Sequence, residues 1–231
     1  MKKLLVLVAL LFLIIVTTSC QKPEEITLSK YFQAMKAKDR DTMAAMAVEP
    51  VALEFKSWEL VSSEVPVSED IMLPKMIQEL TDVKKKKDDQ ILMVKDKKDA
   101  LDQLKTKLGE TRGGRQKADL QKQITDMEKE VEAETANYKR DQMNFTQMKN
   151  QVENEKKMVT LSTNIEQNQE LFAGKTVTSK SLVKITTASG DKEYVFLLRK
   201  FELVNPVTNK MFSNRYIILK IQPKEEFEQG N

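Results

Sequence analysis

The chain has 231 residues, 40% hydrophobic and 32% charged, with 38 Lys and Arg against 35 Asp and Glu, one Cys and no His. Without imidazole there is no Ser-His-Asp or Cys-His relay, no His metal ligand and no histidine proton shuttle, and one thiol makes neither an internal disulfide nor a zinc cluster. Aromatics at 6% and six glycines are sparse for a large compact core and suit long helices.

Met1, Lys2 and Lys3 precede an apolar run from Leu4 to Val16, and Thr17, Thr18 and Ser19 lead into Cys20. This is the positive, apolar, small-residue order of a secretory leader, and the run is short for a transmembrane span. The one cysteine stands where cleavage would make it the first residue. Residues 1–20 resemble the signal and lipobox of bacterial lipoproteins, with Thr17 in place of the usual Leu. The resemblance implies a signal peptide over 1–19, acylation of Cys20, a lipidated tether over 20–26 and a body facing the periplasm with the bilayer as partner. Gln21 after the cysteine implies the outer membrane over the inner. Two or three acyl chains, at about 0.8 kcal/mol per buried methylene, make a stable anchor. Loss of Lys2 and Lys3 with the leader leaves 36 basic residues against 35 acidic ones. The mature chain is then nearly neutral, and nucleic acid is not expected as a partner because it calls for a persistent basic face.

Gln21 to Glu25 reads as a polar tether containing Pro23. Thr27 or Ser29 is placed to cap a helix carrying Tyr31, Phe32 and Met35, and Asp39 to cap a second one carrying Met43, Ala44, Met46 and Ala47. From Val51 to Val61 the period becomes two, with Leu53, Phe55 and Ser57 alternating against Glu54, Lys56 and Trp58, which predicts a strand. Ser62 to Pro74, with two prolines and several carboxylates, predicts a linker.

From Pro74 to residue 170 the chain has no further proline and abundant charge. On a seven-residue frame Leu80, Lys87, Val94, Leu101 and Leu108 share one seam position, and Val83, Gln90, Lys97 and Leu104 the other. Gly109, Gly113 and Gly114 mark a turn within Leu108 to Gln116. A second arm follows with Leu120, Ile124, Met127, Val131, Tyr138, Phe145, Met148, Val152 and Val159 in one register, interrupted by Glu134, Asp141 and Glu155. The expectation is an antiparallel coiled-coil hairpin over 74–170, with arms of roughly thirty residues, about 45 to 50 Å, and Leu80 level with Thr146 to Met148. Lys84 to Lys87 reads as a solvated face near its base. Arg112 and Arg115 at the tip are candidate contacts for anionic lipid, polymer or a protein carboxylate.

After Gly174 the period returns to two. Thr176 to Thr187, Glu193 to Val204 and Met211 to Gln222 predict a three-stranded meander, and the second strand is apolar on both faces and therefore central. Pro223 to Asn231 reads as a flexible tail. The fold class is α+β: a small helix-plus-antiparallel-sheet body over 27–65 and 171–222, interrupted by the inserted hairpin. Tyr31, Phe32, Gln33, Ala34, Met35, Lys36, Ala37, Lys38 and Asp39 run in the order of the opening helix of nuclear transport factor 2-like domains, with Lys38 where glycine is common. Phe55 through Leu60 is similar to that family's first strand. The resemblance implies a cone-shaped body whose pocket would involve Trp58, Tyr194, Phe196 or Tyr216. Against this, a packed-core role for the same aromatics follows from their placement on strands.

The hairpin is also similar to that of the periplasmic adaptors of tripartite efflux pumps, although no flanking lipoyl half-motifs are visible. Clusters such as Glu128 to Glu134 alternate with Lys on a helix, and Gly109 to Gly114 lacks the ending of a phosphate loop, so no catalytic residue, metal or cofactor is expected. The expectation is a noncatalytic, membrane-anchored lipoprotein whose hairpin contacts or spaces an envelope protein. Alternatives are a small-ligand pocket in the body, a carboxylate-dependent hydrolase or an efflux-adaptor-like component.

Overall fold

Pro23 opens the first helix and does not interrupt a tether. The computed structural model describes residues 22–212 and 215–229, and α1 runs Pro23–Ala37, which corrects the tether expected over 20–26. Proline is tolerated in a helix's first turn because the N–H it lacks would have no intrahelical partner there, and Glu24 and Glu25 place negative charge at the positive end of the helix dipole. The helix stops at Lys38 in the left-handed conformation, φ 57°, with its N–H donating to the Ala34 and Met35 carbonyls. A lysine thus makes the turn for which glycine is common. Asp39 caps α2 (Arg40–Met46), its carboxylate accepting the Thr42 N–H at 3.0 Å and the Thr42 hydroxyl at 2.6 Å.

Past α2 the chain touches the sheet once, where Ala47 bridges Ile218 in parallel and the Val48 N–H donates to the Ile218 carbonyl at 2.9 Å, and it then runs alongside α1. The Tyr31 hydroxyl donates to the Val51 carbonyl at 3.0 Å and accepts the Val51 N–H at 2.9 Å, while Leu53 and Phe55 pack on the core. Pairing with β3 (Ala173–Thr187) starts at Lys56, whose N–H donates to the Thr186 carbonyl; β3 ends one residue later and offers no ladder beyond. The strand expected over 51–61 is therefore β1, Ser57–Ser63, and the expected linker over 62–74 contains β2, Val67–Asp70. Both lie antiparallel along the same edge of β3, β1 on residues 181–186 and β2 on 175–178. β3 pairs along its whole length with β4 (Gly190–Val204), whose other edge carries β5 (Met211–Phe212) and β6 (Ile217–Pro223). The third strand of the expected meander is thus split in two. β4 is central, in keeping with its two apolar faces.

On one face Val183, Ile185, Phe196, Leu198 and Ile218 are buried beneath Leu28, Tyr31, Phe32 and Met35 of α1 and Met43 and Met46 of α2. Each side chain of this size contributes about 1.5–3 kcal/mol when fully buried. Phe201, Leu203 and Ile217 are equally buried. Near them the Ser162 hydroxyl accepts the Phe201 N–H at 3.2 Å and donates to the Arg215 carbonyl at 2.8 Å. Gly174, at φ 148°, lets β3 pass so close to β4 that any side chain there would meet the Glu202 carbonyl.

Two long helices, α3 (Leu73–Glu110) and α4 (Gly114–Thr163), provide a second unit over residues 72–156. At 38 and 50 residues they measure about 57 and 75 Å, longer than expected. Pro74, read as the end of a linker, lies in the first turn of α3. Thr111 to Gly113 turn the chain between the helices. The seam positions are the least exposed in both arms, with Val94, Leu101, Ile124, Asp141 and Val152 buried. Lys86 pairs with Asp141 at 3.2 Å and Lys97 with Glu130 at 2.5 Å: eleven residues forward along α3 correspond to eleven back along α4. Six residues before Lys86, the same register sets Leu80 level with Gln147. The polar interruptions have partners of their own. Glu134 accepts the Gln90 amide at 2.6 Å and the Asn137 amide at 3.3 Å, and these bonds, with Lys97 nearby, hold its carboxyl below the usual range. Lys87, expected on a solvated face, instead lies over the Phe145 ring at 4.5 Å.

The hairpin is shorter at its C-terminal end than the expected 74–170, because α4 ends at Thr163 and residues from Lys157 onward group with the body. Asn164, left-handed at φ 59°, ends α4, and Asn168, left-handed at φ 54°, precedes a single 3-10 turn over Gln169–Leu171. At the other end of the body β6 leads into α5 (Lys224–Gln229), so residues 223–229 of the flexible tail expected over 223–231 are strand and helix, and the last two lie outside the described residues. Lys224 pairs with Glu193 at 2.8 Å and Lys180 lies over the Phe227 ring at 5.2 Å, contacts from distant parts of the chain that local composition does not reveal.

Candidate functional site

The tip of the hairpin is built by two helix ends and three turn residues. Arg112 and Arg115 are both exposed there, and neither forms an ion pair among the described residues. Beside them Lys107, Glu110, Thr111, Gln116, Asp119 and Leu120 line a shallow hollow of about 390 Å³. Two guanidinium forks at the end of a long lever can each hold a carboxylate or phosphate in bidentate fashion.

In the body the four pocket candidates divide. Phe32 of α1 is a hub: Trp58 stacks on it with ring centroids 4.7 Å apart and planes at 11°, Phe55 meets it edge-on at 5.1 Å, and Phe196 lies at 5.6 Å. Trp58 and Phe196 are therefore brought together through Phe32, within packed aromatic surface. Tyr194, further along β4, lines surface hollows shared with Lys192, Glu193 and Pro223 on one side and Leu53, Phe55 and Ile185 on the other.

Tyr216, immediately before β6, belongs to the same buried core but lies outside the ring contacts around Phe32. Lys200 sits above its ring at 5.4 Å, and a hollow of about 290 Å³ beside it is lined by Pro23, Ile26, Lys30, Met46 and Arg215. Burial, then the Glu24 carboxylate and more weakly Glu202, push the Tyr216 hydroxyl above the ordinary tyrosine range. Arg215, which nothing in the local sequence singles out, ties this corner together: its Nε donates to the Leu161 carbonyl at 3.0 Å and its guanidinium to the Ala45 carbonyl at 3.1 Å. Phe32 is legible as core, but its place at the centre of Tyr31, Phe55, Trp58 and Phe196 is not.

Among the described residues no three acidic or sulfur-bearing side chains are grouped to hold a metal ion, and no helix is long and apolar enough to cross a membrane. Cys20 lies outside the described residues. Comparison of the chain with protein-family models, with curated proteins and with solved structures found no match.

Proposed function

We propose that this chain is a noncatalytic lipoprotein of the bacterial envelope, held to the membrane by acylated Cys20, with the outer membrane favoured by Gln21, and that its hairpin contacts or spaces another envelope protein. The observation that carries the proposal is Cys20, shortly after an apolar N-terminal run, in the same chain as two helices of 38 and 50 residues whose outward positions are exposed. The order of two helices followed by an antiparallel sheet supports the body's resemblance to nuclear transport factor 2-like domains.

One substitution and one deletion test separate halves of this reading. Cys20→Ser should release the protein from membranes and remove a lipid mass shift; persistence of both would refute the anchor. Deletion of residues 84–144 removes facing lengths of both arms, because the register sets Lys84 level with Met143. The expected result is a folded body that no longer captures its partner, and intact capture would refute the hairpin's role. The hollow beside Tyr216 favours a second reading, a small-ligand site in the body, for which native mass spectrometry should show an adduct that Tyr216→Ala removes.

A further inference from the structure

The outer surface of α4 changes character over Gln142–Asn154. Seven of the thirteen residues from Lys129 to Asp141 are charged, but only Lys149 and Glu153 are in the thirteen that follow. At 100° per residue Met143, Gln147, Asn150 and Asn154 lie along one line, opposite the seam positions Asp141, Phe145, Met148 and Val152. Exposure agrees with this geometry: the first four are exposed, and the seam four are buried or half-buried. With Gln142, Thr146 and Gln151 the outer line forms a shallow trough of about 540 Å³, from which Met143 stands out at 66% exposure.

We propose that this face pairs with the same face of a second copy of the chain, antiparallel about a two-fold axis between Thr146 and Gln147. The inference rests on the hairpin being a contact element and names one partner for it. Glutamine and asparagine each donate and accept, so an amide face is complementary to itself, whereas the charged surface toward the tip is not. The flanking charges choose the direction. A parallel pair would set Arg140 on Arg140 and Glu153 on Glu153. The antiparallel pair sets Arg140 of each copy against Glu153 of the other, and the same register places Met143 opposite Asn150. An isologous contact counts each of these pairs twice. Arg140 and Glu153 are both exposed, and within the chain each makes only a long contact on its own helix, Arg140 with Asp141 at 3.8 Å and Glu153 with Lys156 at 4.0 Å. About 20 Å of helix is too short for a standard interface of roughly 1,200–2,000 Å², so the pair is weak in dilute solution and forms where copies are crowded on a shared surface.

The test is disulfide trapping of the full chain at high concentration, with the parent chain showing any background from Cys20. Gln147→Cys, beside the axis, should give linked dimers about tenfold faster than Thr125→Cys on the same outer line nearer the tip. Arg140→Glu or Glu153→Arg, each added to Gln147→Cys, should reduce trapping to the Thr125→Cys rate, and both reversals in one chain should restore it, with helical circular dichroism unchanged throughout. Equal trapping at 147 and 125, or no restoration by the double reversal, overturns the proposal. Linking of Gln147→Cys only to a different protein also overturns the second copy as occupant, yet leaves the hairpin's contact role standing. That role fails separately if the chain lacking 84–144 still captures its partner.

Discussion

The Tyr31 ring is core and its hydroxyl is a clamp, donating to and accepting from the same residue, Val51, twenty positions on. Tyr31→Phe keeps the ring and strips both bonds, leaving a half-buried peptide short of partners, so we expect a loss of about 1–3 kcal/mol in urea denaturation with unchanged circular dichroism. An unaltered midpoint would mean that water replaces the hydroxyl. Burial raises the Tyr31 hydroxyl above its ordinary value of 10.0, and Tyr216 is raised as well, by burial first and Glu24 second. The folded state then favours the neutral phenols. Their stabilisation is intact below about pH 10 and is lost as pH rises through the folded-state values. Alkaline denaturation should therefore be steep, and less so for Tyr216→Phe; identical slopes would contradict this account. In the sequence Tyr31 is legible only as part of an apolar stripe, because its partner is set by the path of residues 51–55 and not by local spacing.

Spacing is what makes the hairpin legible. The seven-residue recurrence of Val94 and Leu101 on one arm and the line through Ile124 and Val152 on the other correspond to the buried seam, because a coiled coil repeats its contacts at that interval. The pattern does not show what answers Glu134. Gln90→Leu alone should lower the hairpin's thermal midpoint, since it removes the shorter of the two amide bonds to a seam carboxylate and leaves only the 3.3 Å bond from Asn137. Gln90→Leu with Glu134→Leu should recover the midpoint or exceed it, as buried polar pairs often add specificity more than stability. A double variant no better than the single one would show that the network itself carries the stability. Helix boundaries were less legible for a physical reason. Pro23 and Pro74 both lie in first turns, where proline is harmless, but one or two residues further on it would break a helix.

At the scale of the molecule, the change of period from helix to strand makes the α+β class and the insertion readable, while the division of each sheet edge into two short strands is not. That division depends on where β3 and β4 begin and end. The same topology predicts how the protein responds to cutting. Trypsin should cleave first at Arg112 or Arg115, in or beside the Thr111–Gly113 turn, before the many lysines held in helix. The two fragments should stay together in gel filtration, because β1 and β2 of one remain in ladder with β3 of the other. Separation of the fragments would show that chain continuity, and not the sheet, unites the body.

Ser62 finds its ladder partner in Leu182, 120 residues later. A search over that much slack chain is entropically costly and slow. Once the arms zip from the Thr111–Gly113 turn toward their bases, they take up most of the slack, and the ends they present are close in space. The rate at which the body assembles is then governed by a seam that supplies it with no strand, and a weakened seam would leave β1 and β2 exposed as unpaired edges for longer, with aggregation as the competing outcome.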